Sequence, residues 1–167
     1  MKVDNSQAIR VLCPQCGLCC NGILFADVRL QSGDFGDRLK ELGLPIKKRG
    51  VSSGFSQPCA ALRADGCCRV YADRPAMCRQ FECGVLRQFT AGELSEPQAL
   101  KLIRQARHQA ARVTDLLRAS GNHDEQEPLT KRYQAVMRQP IDLTAGDEAG
   151  DQRGELMLVV HELMTLL

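Results

Sequence analysis

The sequence predicts an α+β protein in which an irregular, cysteine-rich N-terminal half packs on a helical C-terminal half. All nine cysteines of the 167-residue chain lie in the first half, and the last of them is Cys83. The second half contains segments whose apolar residues recur at intervals of three and four, which is the spacing of amphipathic helices. We therefore expect a cysteine-rich region over residues 1–90 and a helical region over residues 91–167, together forming one compact domain.

Composition excludes several classes of protein. Aromatic residues make up only 4% of the chain and Trp is absent, so the core is small and would need a staple such as a metal or a disulfide. A net charge of +2 and the lack of aromatics among the basic residues argue against nucleic acid as a partner. The N-terminus has no apolar signal core, and no apolar run approaches the roughly 18 residues of a membrane span. We expect a cytoplasmic protein with no membrane partner.

The elements expected in the first half are short. Residues 13–22 form a cysteine turn closed by Asn21-Gly22, and residues 23–30 end in the alternation of a half-buried strand. Residues 45–57 are basic and rich in Gly and Ser, which is typical of a loop or a weak strand.

Two aspartates are expected to begin helices in this half. Asp34 is placed to cap a short helix that ends at Gly43. Asp73 is placed to cap a second short helix, with Pro75 in its first turn and Cys78 on its surface.

The helical half begins with the clearest element of the chain. Ser95 and Gln98 form a capping-box pattern at the start of a predicted helix, Glu96–Ala119. Its apolar stripe is expected to pack within the chain and consists of Ala99, Ile103, Ala106, Ala110, Val113 and Leu117. Its opposite face is basic, carries Lys101, Arg104, Arg107, His108, Arg112 and Arg118, and is more often solvated than bound to an acidic partner.

Two further helices are expected beyond a polar linker. Residues 129–139 form one of them, and residues 155–167 form another that is apolar on most sides. The latter should therefore be buried in the bundle or in a dimer contact. Residues 140–154 contain three glycines among acidic residues and are expected to be a mobile loop.

The cysteine spacing indicates a metal site. In a reducing cytosol, clustered cysteines are more often metal ligands or catalytic groups than disulfides. Cys13-x-x-Cys16-x-x-Cys19 can place three sulfurs around one centre, a spacing found at ferredoxin-type clusters that also suits zinc. Adjacent residues rarely face the same way, so Cys20 is expected to serve a second centre or to bridge.

These residues resemble a known family. Residues 13–20 read Cys-Pro-Gln-Cys-Gly-Leu-Cys-Cys, and residues 59–83 contain Cys-Ala-Ala-Leu, Gly-Cys-Cys-Arg-Val-Tyr, Arg-Pro-Ala-Met-Cys-Arg and Phe-Glu-Cys. Both stretches are similar to the signature of the CxxCxxCC family, the YkgJ-type cysteine-cluster proteins that are described as zinc- or iron-chelating. The resemblance covers about residues 10–90 and implies eight ligands: Cys13, Cys16, Cys19, Cys20, Cys59, Cys68, Cys78 and Cys83. Cys67 departs from the family pattern. It is either an idle thiol or a substitute ligand, and we expect it to be idle.

Eight thiolates would carry more negative charge than two zinc ions offset. Four arginines among the ligands, and one tyrosine, are candidates to compensate this charge and to donate hydrogen bonds to sulfur: Arg63, Arg69, Arg74, Arg79 and Tyr71.

The identity of the metal is left open by the residues, with a slight preference for an iron–sulfur cluster of the 4Fe-4S kind over zinc. The first hypothesis is a cytoplasmic metal-binding protein with a redox or accessory role. The alternative is a non-catalytic zinc protein whose basic helix, residues 96–119, binds a protein partner. An enzyme with an open metal position is a third possibility, and the residues do not decide whether the protein is an enzyme.

Overall fold

The fold is taken from a computed structural model, which describes residues 4–140 and 148–167. This part of the chain contains seven α-helices, one 3-10 helix over Tyr71–Asp73 and a three-stranded antiparallel sheet. The predicted α+β class is confirmed. The helices are α1 Asn5–Cys16, α2 Gly36–Glu41, α3 Ala76–Gln80, α4 Gly84–Ala91, α5 Glu96–Ala119, α6 Leu129–Met137 and α7 Glu148–Leu166, and the strands are β1 Asp27–Arg29, β2 Lys47–Arg49 and β3 Ser52–Ser56.

The first cysteines lie on a helix and not in a free turn. The side chain of Asp4 accepts a hydrogen bond from Gln7 N, and α1 then continues through Pro14 to Cys16. The helix ends at Gly17, whose φ of 71° is the left-handed conformation that favours glycine at this position. The turn expected over residues 13–22 is therefore shorter, because the CxxC segment forms the last turn of α1.

The sheet has the order β1-β3-β2, with both pairs antiparallel. Strand β1 confirms the strand expected within residues 23–30, and the weak strand expected over residues 45–57 is a β2–β3 hairpin. Gly54 lies opposite Arg29 in the register, and a Cβ atom there would be 2.2 Å from the carbonyl oxygen of Val28. A glycine is therefore required where β3 approaches β1.

Two of the predicted helix caps are wrong. Asp34 does not cap α2, whose N-cap residue is Phe35. Its carboxylate instead accepts hydrogen bonds from Gln31 N and from Ala76 N, both at 2.8 Å. Asp73 does not cap α3 either, because it lies in the preceding 3-10 helix. Asp34, which precedes Ala76 by 42 residues, therefore caps α3 in place of Asp73.

The helical half agrees more closely with the sequence. The capping box at Ser95 is present, and all six residues of the predicted stripe on α5 are buried. Helix α6 confirms the helix expected within residues 129–139. Helix α7 begins at Glu148, so Gly150 and Gly154 are helical and not part of the expected loop. The rest of that loop includes residues 141–147, which lie outside the described residues.

Three hydrophobic clusters form the core. One joins α5, α6 and α7, a second joins α1, α4 and α5, and a third lies between the sheet and the cysteine segments. Helix α5 contributes to the first two, so one continuous helix connects the cysteine-bearing half to the C-terminal helices. Helix α7 is buried on one side only, through Leu156, Val159 and Leu163, while Leu158 is 65% exposed.

Candidate metal centre

One cavity of about 460 Å³ is lined by all nine cysteines of the protein. Each cysteine is a free thiol. Aromatic and aliphatic side chains form much of the remaining wall, and two of them, Phe25 and Phe81, meet edge to face with their ring centroids 4.7 Å apart. The fold therefore brings together thiols that are up to 70 residues apart in sequence, including all eight predicted ligands.

Helix α1 and the turn after it position the first thiols. Cys13 and Cys16 are three residues apart in the last turn of α1, so they lie on the same face of that helix. The chain then reverses at Gly17, where Cys20 N donates to the Gly17 carbonyl at 3.0 Å. Cys83 reaches this group from the other side, because it is the N-cap residue of α4, and α4 packs against α1.

Backbone hydrogen bonds position the second set of thiols. Cys59 N donates to the carbonyl of Cys20 at 2.8 Å, which fixes the two cysteines side by side. An isolated antiparallel bridge joins Leu62 to Cys68. Cys78 lies on α3, the helix that Asp34 caps.

The loop between these cysteines touches α1 directly. Gly66 has a φ of 79°, and a Cβ atom there would lie 2.1 Å from the carbonyl oxygen of Pro14. Because Pro14 stands between Cys13 and Cys16, this approach places the loop of residues 59–68 against the first cysteine segment. A side chain at position 66 would push the two segments apart.

The protein environment disfavours negative charge on the thiols. Burial is the largest cause that raises the pKa of six of them, and for most the neighbouring thiols add to it. The pKa rises to about 11 for Cys13, about 12 for Cys20 and about 11 for Cys78, and it also rises for Cys16, Cys19 and Cys59.

The donor set suits a soft, thiophilic cation. Thiolates select zinc, copper(I) and iron–sulfur clusters over hard cations. A positive ion in the cavity would lower the pKa of the thiols and so oppose the burial that raises it. Among the described residues, no three Cys, His, Asp or Glu side chains stand as a ready metal-binding group. A tetrahedral zinc site needs Zn–S distances of about 2.3 Å, so the thiols must turn inward to bind.

Arg74 is the cation placed best to serve this cavity. Its guanidinium lies 3.7 Å from the ring centroid of Tyr71, and its Nε donates to the Tyr71 carbonyl at 3.1 Å. Both residues line the cavity. The positive charge of Arg74 lowers the pKa of Cys13 and of Cys78, against the larger effect of burial. The predicted role of Arg74 and Tyr71 in supporting the ligands is thus geometrically feasible.

The other predicted arginines contact groups other than the thiols. Arg69 donates to the Leu42 carbonyl at 2.9 Å and lowers the pKa of Cys59. Arg63 pairs with Asp65 at 2.9 Å. Arg79 lies 3.8 Å from Asp34 and is not part of the cavity wall. A role of Arg79 at the metal stays a prediction, and Arg79 would have to act indirectly, through its contact with Asp34.

Sequence reasoning missed two residues at this site. Arg107 of α5 donates to the Gln15 carbonyl at 3.0 Å and lowers the pKa of Cys16; it had been assigned to the solvated face, and no local signal marks it. Gln57 lines the cavity and is only 2% exposed. Its Oε1 atom is buried and has no hydrogen-bond partner among the described residues.

Comparison with known families gives an independent result. The profile of the CxxCxxCC family, described as a putative zinc- or iron-chelating domain, matches residues 12–111. The chain belongs to the CxxCxxCC family. The match extends past residue 90, where the sequence resemblance was expected to end, and includes α4 and the first two-thirds of α5. The CxxCxxCC domain therefore includes a helical support for the cysteines.

No curated protein and no solved structure matches the chain. Within residues 4–140 and 148–167, every helix is too short or too polar to cross a membrane.

Asp34 offers a test of how the cavity is supported from outside. Its carboxylate is 3% exposed and caps α3 through Ala76 N, next to Cys78. We expect Asp34→Ala to lower the free energy of unfolding by about 1–2 kcal/mol, the usual cost of losing a helix cap, and to lower metal retention. Urea unfolding and metal analysis would measure both. The matched control is Asp37→Ala, whose side chain is 93% exposed and which should behave like the wild type; equal effects would contradict the capping role.

The raised thiol pKa values also predict how metal binding depends on pH. A thiol whose pKa lies near 11 or 12 is protonated throughout the neutral range, so every thiolate that binds metal must first release its proton. We expect apparent zinc affinity to rise steadily between pH 6 and pH 9, with proton release on binding, and metal to dissociate as the pH falls. Chelator competition at fixed ionic strength would measure this. A flat profile would mean that the thiols are already ionised before metal arrives.

Proposed function

We propose that this protein binds iron or zinc through Cys13, Cys16, Cys19, Cys20, Cys59, Cys68, Cys78 and Cys83, and that the metal holds the cysteine-bearing half together. The observation that supports this most strongly is the single cavity that all of these thiols line. Membership of a zinc- or iron-chelating family agrees with it. Every thiol is free and therefore available as a ligand. We also propose a cytoplasmic location, which would keep the thiols reduced.

A redox or accessory role with an iron–sulfur cluster is the first form of this proposal. The three cysteines spaced as in ferredoxin-type sites, Cys13, Cys16 and Cys19, support it. A cluster of this kind supplies one-electron transfer when it is bound. The chain's own contribution would be a largely apolar cavity that limits water and a guanidinium, Arg74, that offsets negative charge, both of which tune a cluster's potential.

A structural zinc protein that binds a partner through α5 is the second form. Among the six basic residues of this helix, three already have partners within the chain: Arg107 on Gln15, Arg112 on Glu155 and Arg118 on Asp115 and Glu125. The remaining three line a groove of about 820 Å³ between α5 and α7, together with His161: Lys101, Arg104 and His108. This groove, and not the whole basic face, is the surface that an acidic partner would contact.

Purification without oxygen, followed by metal analysis and a visible spectrum of the same sample, separates the two forms. A brown protein with iron and acid-labile sulfide supports the redox form. A colourless protein with about two zinc ions, the number that eight thiolates in closed tetrahedral sites would hold, supports the structural form. A protein that binds neither metal, even after reconstitution under reducing conditions, would overturn the proposal.

Cysteine variants connect the metal to particular residues. Cys16→Ser and Cys78→Ser should each lower bound metal and destabilise the fold, because each removes a ligand from a site that needs all four. Cys67→Ser is the matched control, since Cys67 lines the same cavity but is expected to be idle. Metal content and thermal unfolding of the three variants would be compared. Equal metal loss from Cys67→Ser would show that the second half of the motif is aligned one residue out.

A further inference from the structure

The eight cysteines separate into two groups of four according to the segments that carry them. Cys13 and Cys16 share the last turn of α1, and Cys83 begins α4, which packs against α1. The electrostatic effects of the thiols on one another agree with this grouping. In the first group, Cys16 and Cys83 raise the pKa of Cys13, and Cys83 raises the pKa of Cys16. All three of these thiols raise the pKa of Cys19. Every pair that four residues can form is therefore represented. These effects fall off with distance, so these four thiols are mutual neighbours.

The second group is equally complete. The pKa of Cys20 is raised by Cys59, Cys68 and Cys78. Cys68 raises the pKa of Cys59, and both Cys59 and Cys68 raise the pKa of Cys78. Between the groups, Cys20 raises the pKa of Cys19, and Cys13 raises the pKa of Cys20 as the smallest of the effects of thiols on it.

Packing divides five of these residues in the same way, independently of charge. Cys16 and Cys83 pack against the hydrophobic cluster of α1, α4 and α5. Cys59, Cys68 and Cys78 pack against the other cluster, which lies beside the sheet. The backbone bond from Cys59 N to the Cys20 carbonyl attaches Cys20 to the second group, although Cys20 follows Cys19 directly in the sequence.

We propose that the cavity contains two four-cysteine metal sites, one formed by Cys13, Cys16, Cys19 and Cys83 and the other by Cys20, Cys59, Cys68 and Cys78. This division rests on the proposed metal-binding function and assigns each cysteine of that function to a site. Each site takes one thiophilic cation, or one cluster, in a closed tetrahedral set of sulfurs. The sites meet at Cys19–Cys20, and Arg74, which interacts with a thiol of each group, is a counter-charge that both share.

Cys67 belongs to neither site. None of the main electrostatic effects on Cys13, Cys16, Cys19, Cys20, Cys59 and Cys78 comes from Cys67. Its own backbone is held in the loop instead, since Cys67 N donates to Asp65 Oδ1 at 2.9 Å and its carbonyl accepts from Arg63 N.

Paired substitutions test the division with the number of thiols held constant. The full chain would be prepared as the variants C13S/C83S, C59S/C78S and C13S/C59S, stripped with chelator under reducing conditions and titrated with Zn²⁺. Each variant lacks two thiols. If the division holds, the first two variants lose one site and bind about half of the wild-type zinc, whereas the third damages both sites and binds almost none tightly.

The outcomes separate this proposal from the broader one. A wild-type protein that binds no zinc or iron contradicts metal binding itself. A wild type that binds zinc while all three variants lose it equally, or while C13S/C59S keeps half, contradicts only the division.

A second measurement keeps the test decisive if a variant fails to fold. The wild type would be loaded with one equivalent of Zn²⁺ and treated with N-ethylmaleimide, and single intact chains would be fragmented in a mass spectrometer. Chains that carry four protected thiols should have them all in one group. Protection that mixes Cys13 with Cys59 in the same chain would overturn the division.

Discussion

Removal of the metal is expected to unfold most of the segment between Cys13 and Cys83 while the packed part of α5 stays folded. The elements in this segment are too short to persist alone: the strands have three to five residues and α3 has five. A structural zinc contributes on the order of 10 kcal/mol of apparent binding energy, and here that energy would be folding energy. Helix α5, by contrast, has 24 residues, a capping box and a buried stripe.

Hydrogen exchange before and after chelation would measure this effect. Amides of the β1–β3 ladder and of α3 should lose most of their protection. Amides near Val113, which packs in the cluster of α5, α6 and α7, serve as the internal reference and should keep theirs. Unchanged protection in the sheet after complete metal removal would mean that packing alone stabilises this half.

Gly66→Ala is expected to be among the most disruptive single substitutions outside the cysteines. The added Cβ would lie 2.1 Å from the carbonyl oxygen of Pro14 and 3.1 Å from its carbon, and both atoms belong to the backbone of α1, which has little freedom to move. The φ of 79° adds the usual penalty for a side chain in the left-handed region. We expect a loss of more than about 3 kcal/mol in the free energy of unfolding, at the upper end for point mutations, together with loss of metal.

Gly33→Ala is the matched control for this substitution. Gly33 has a similarly positive φ of 93°, but a Cβ atom there would meet nothing within 4 Å. It should therefore cost only the conformational penalty of about 1–2 kcal/mol and leave the metal in place. Urea unfolding and metal analysis of both variants would isolate the contact with Pro14. Equal destabilisation by the two substitutions would show that the loop yields and that the approach to α1 is not required.

The local signals of the sequence predicted the helical half well and the cysteine half only in outline. Helix α5 was predictable with its boundaries and its stripe because its capping box and its periodicity are both encoded within 24 consecutive residues. The start of α7 was not, because Gly150 and Gly154 weaken helix propensity. Packing of Leu156 and Leu163 in the core compensates for this, and no local pattern records it.

The cap of α3 illustrates what local reasoning cannot provide. Asp73 is of a residue type that often caps helices, and it lies three residues before α3. The carboxylate that accepts the hydrogen bond from Ala76 N nevertheless belongs to Asp34. Arg107 is a similar case, since it lies 92 residues from the carbonyl it contacts. Both contacts depend on how distant segments pack.

The candidate ligands came from cysteine spacing and family resemblance, and their grouping came from the fold. The sequence placed Cys19 with Cys13 and Cys16 around one centre and left open whether Cys20 serves a second centre or bridges. The backbone bond from Cys59 to Cys20 and the position of Cys83 at the start of α4 provide the information that spacing lacks.

Helix α5 contributes residues to two hydrophobic clusters, and this has a practical consequence for dividing the protein into fragments. The family match ends at residue 111, inside this helix. A fragment ending there would keep Ile103, which packs beside α1 and α4, but would lose Val113 and Leu117, which anchor the same helix against α6 and α7. The shortened helix would expose its remaining apolar stripe to solvent, and such a fragment should aggregate. The boundary recognised by sequence comparison is therefore not the boundary of an autonomous folding unit.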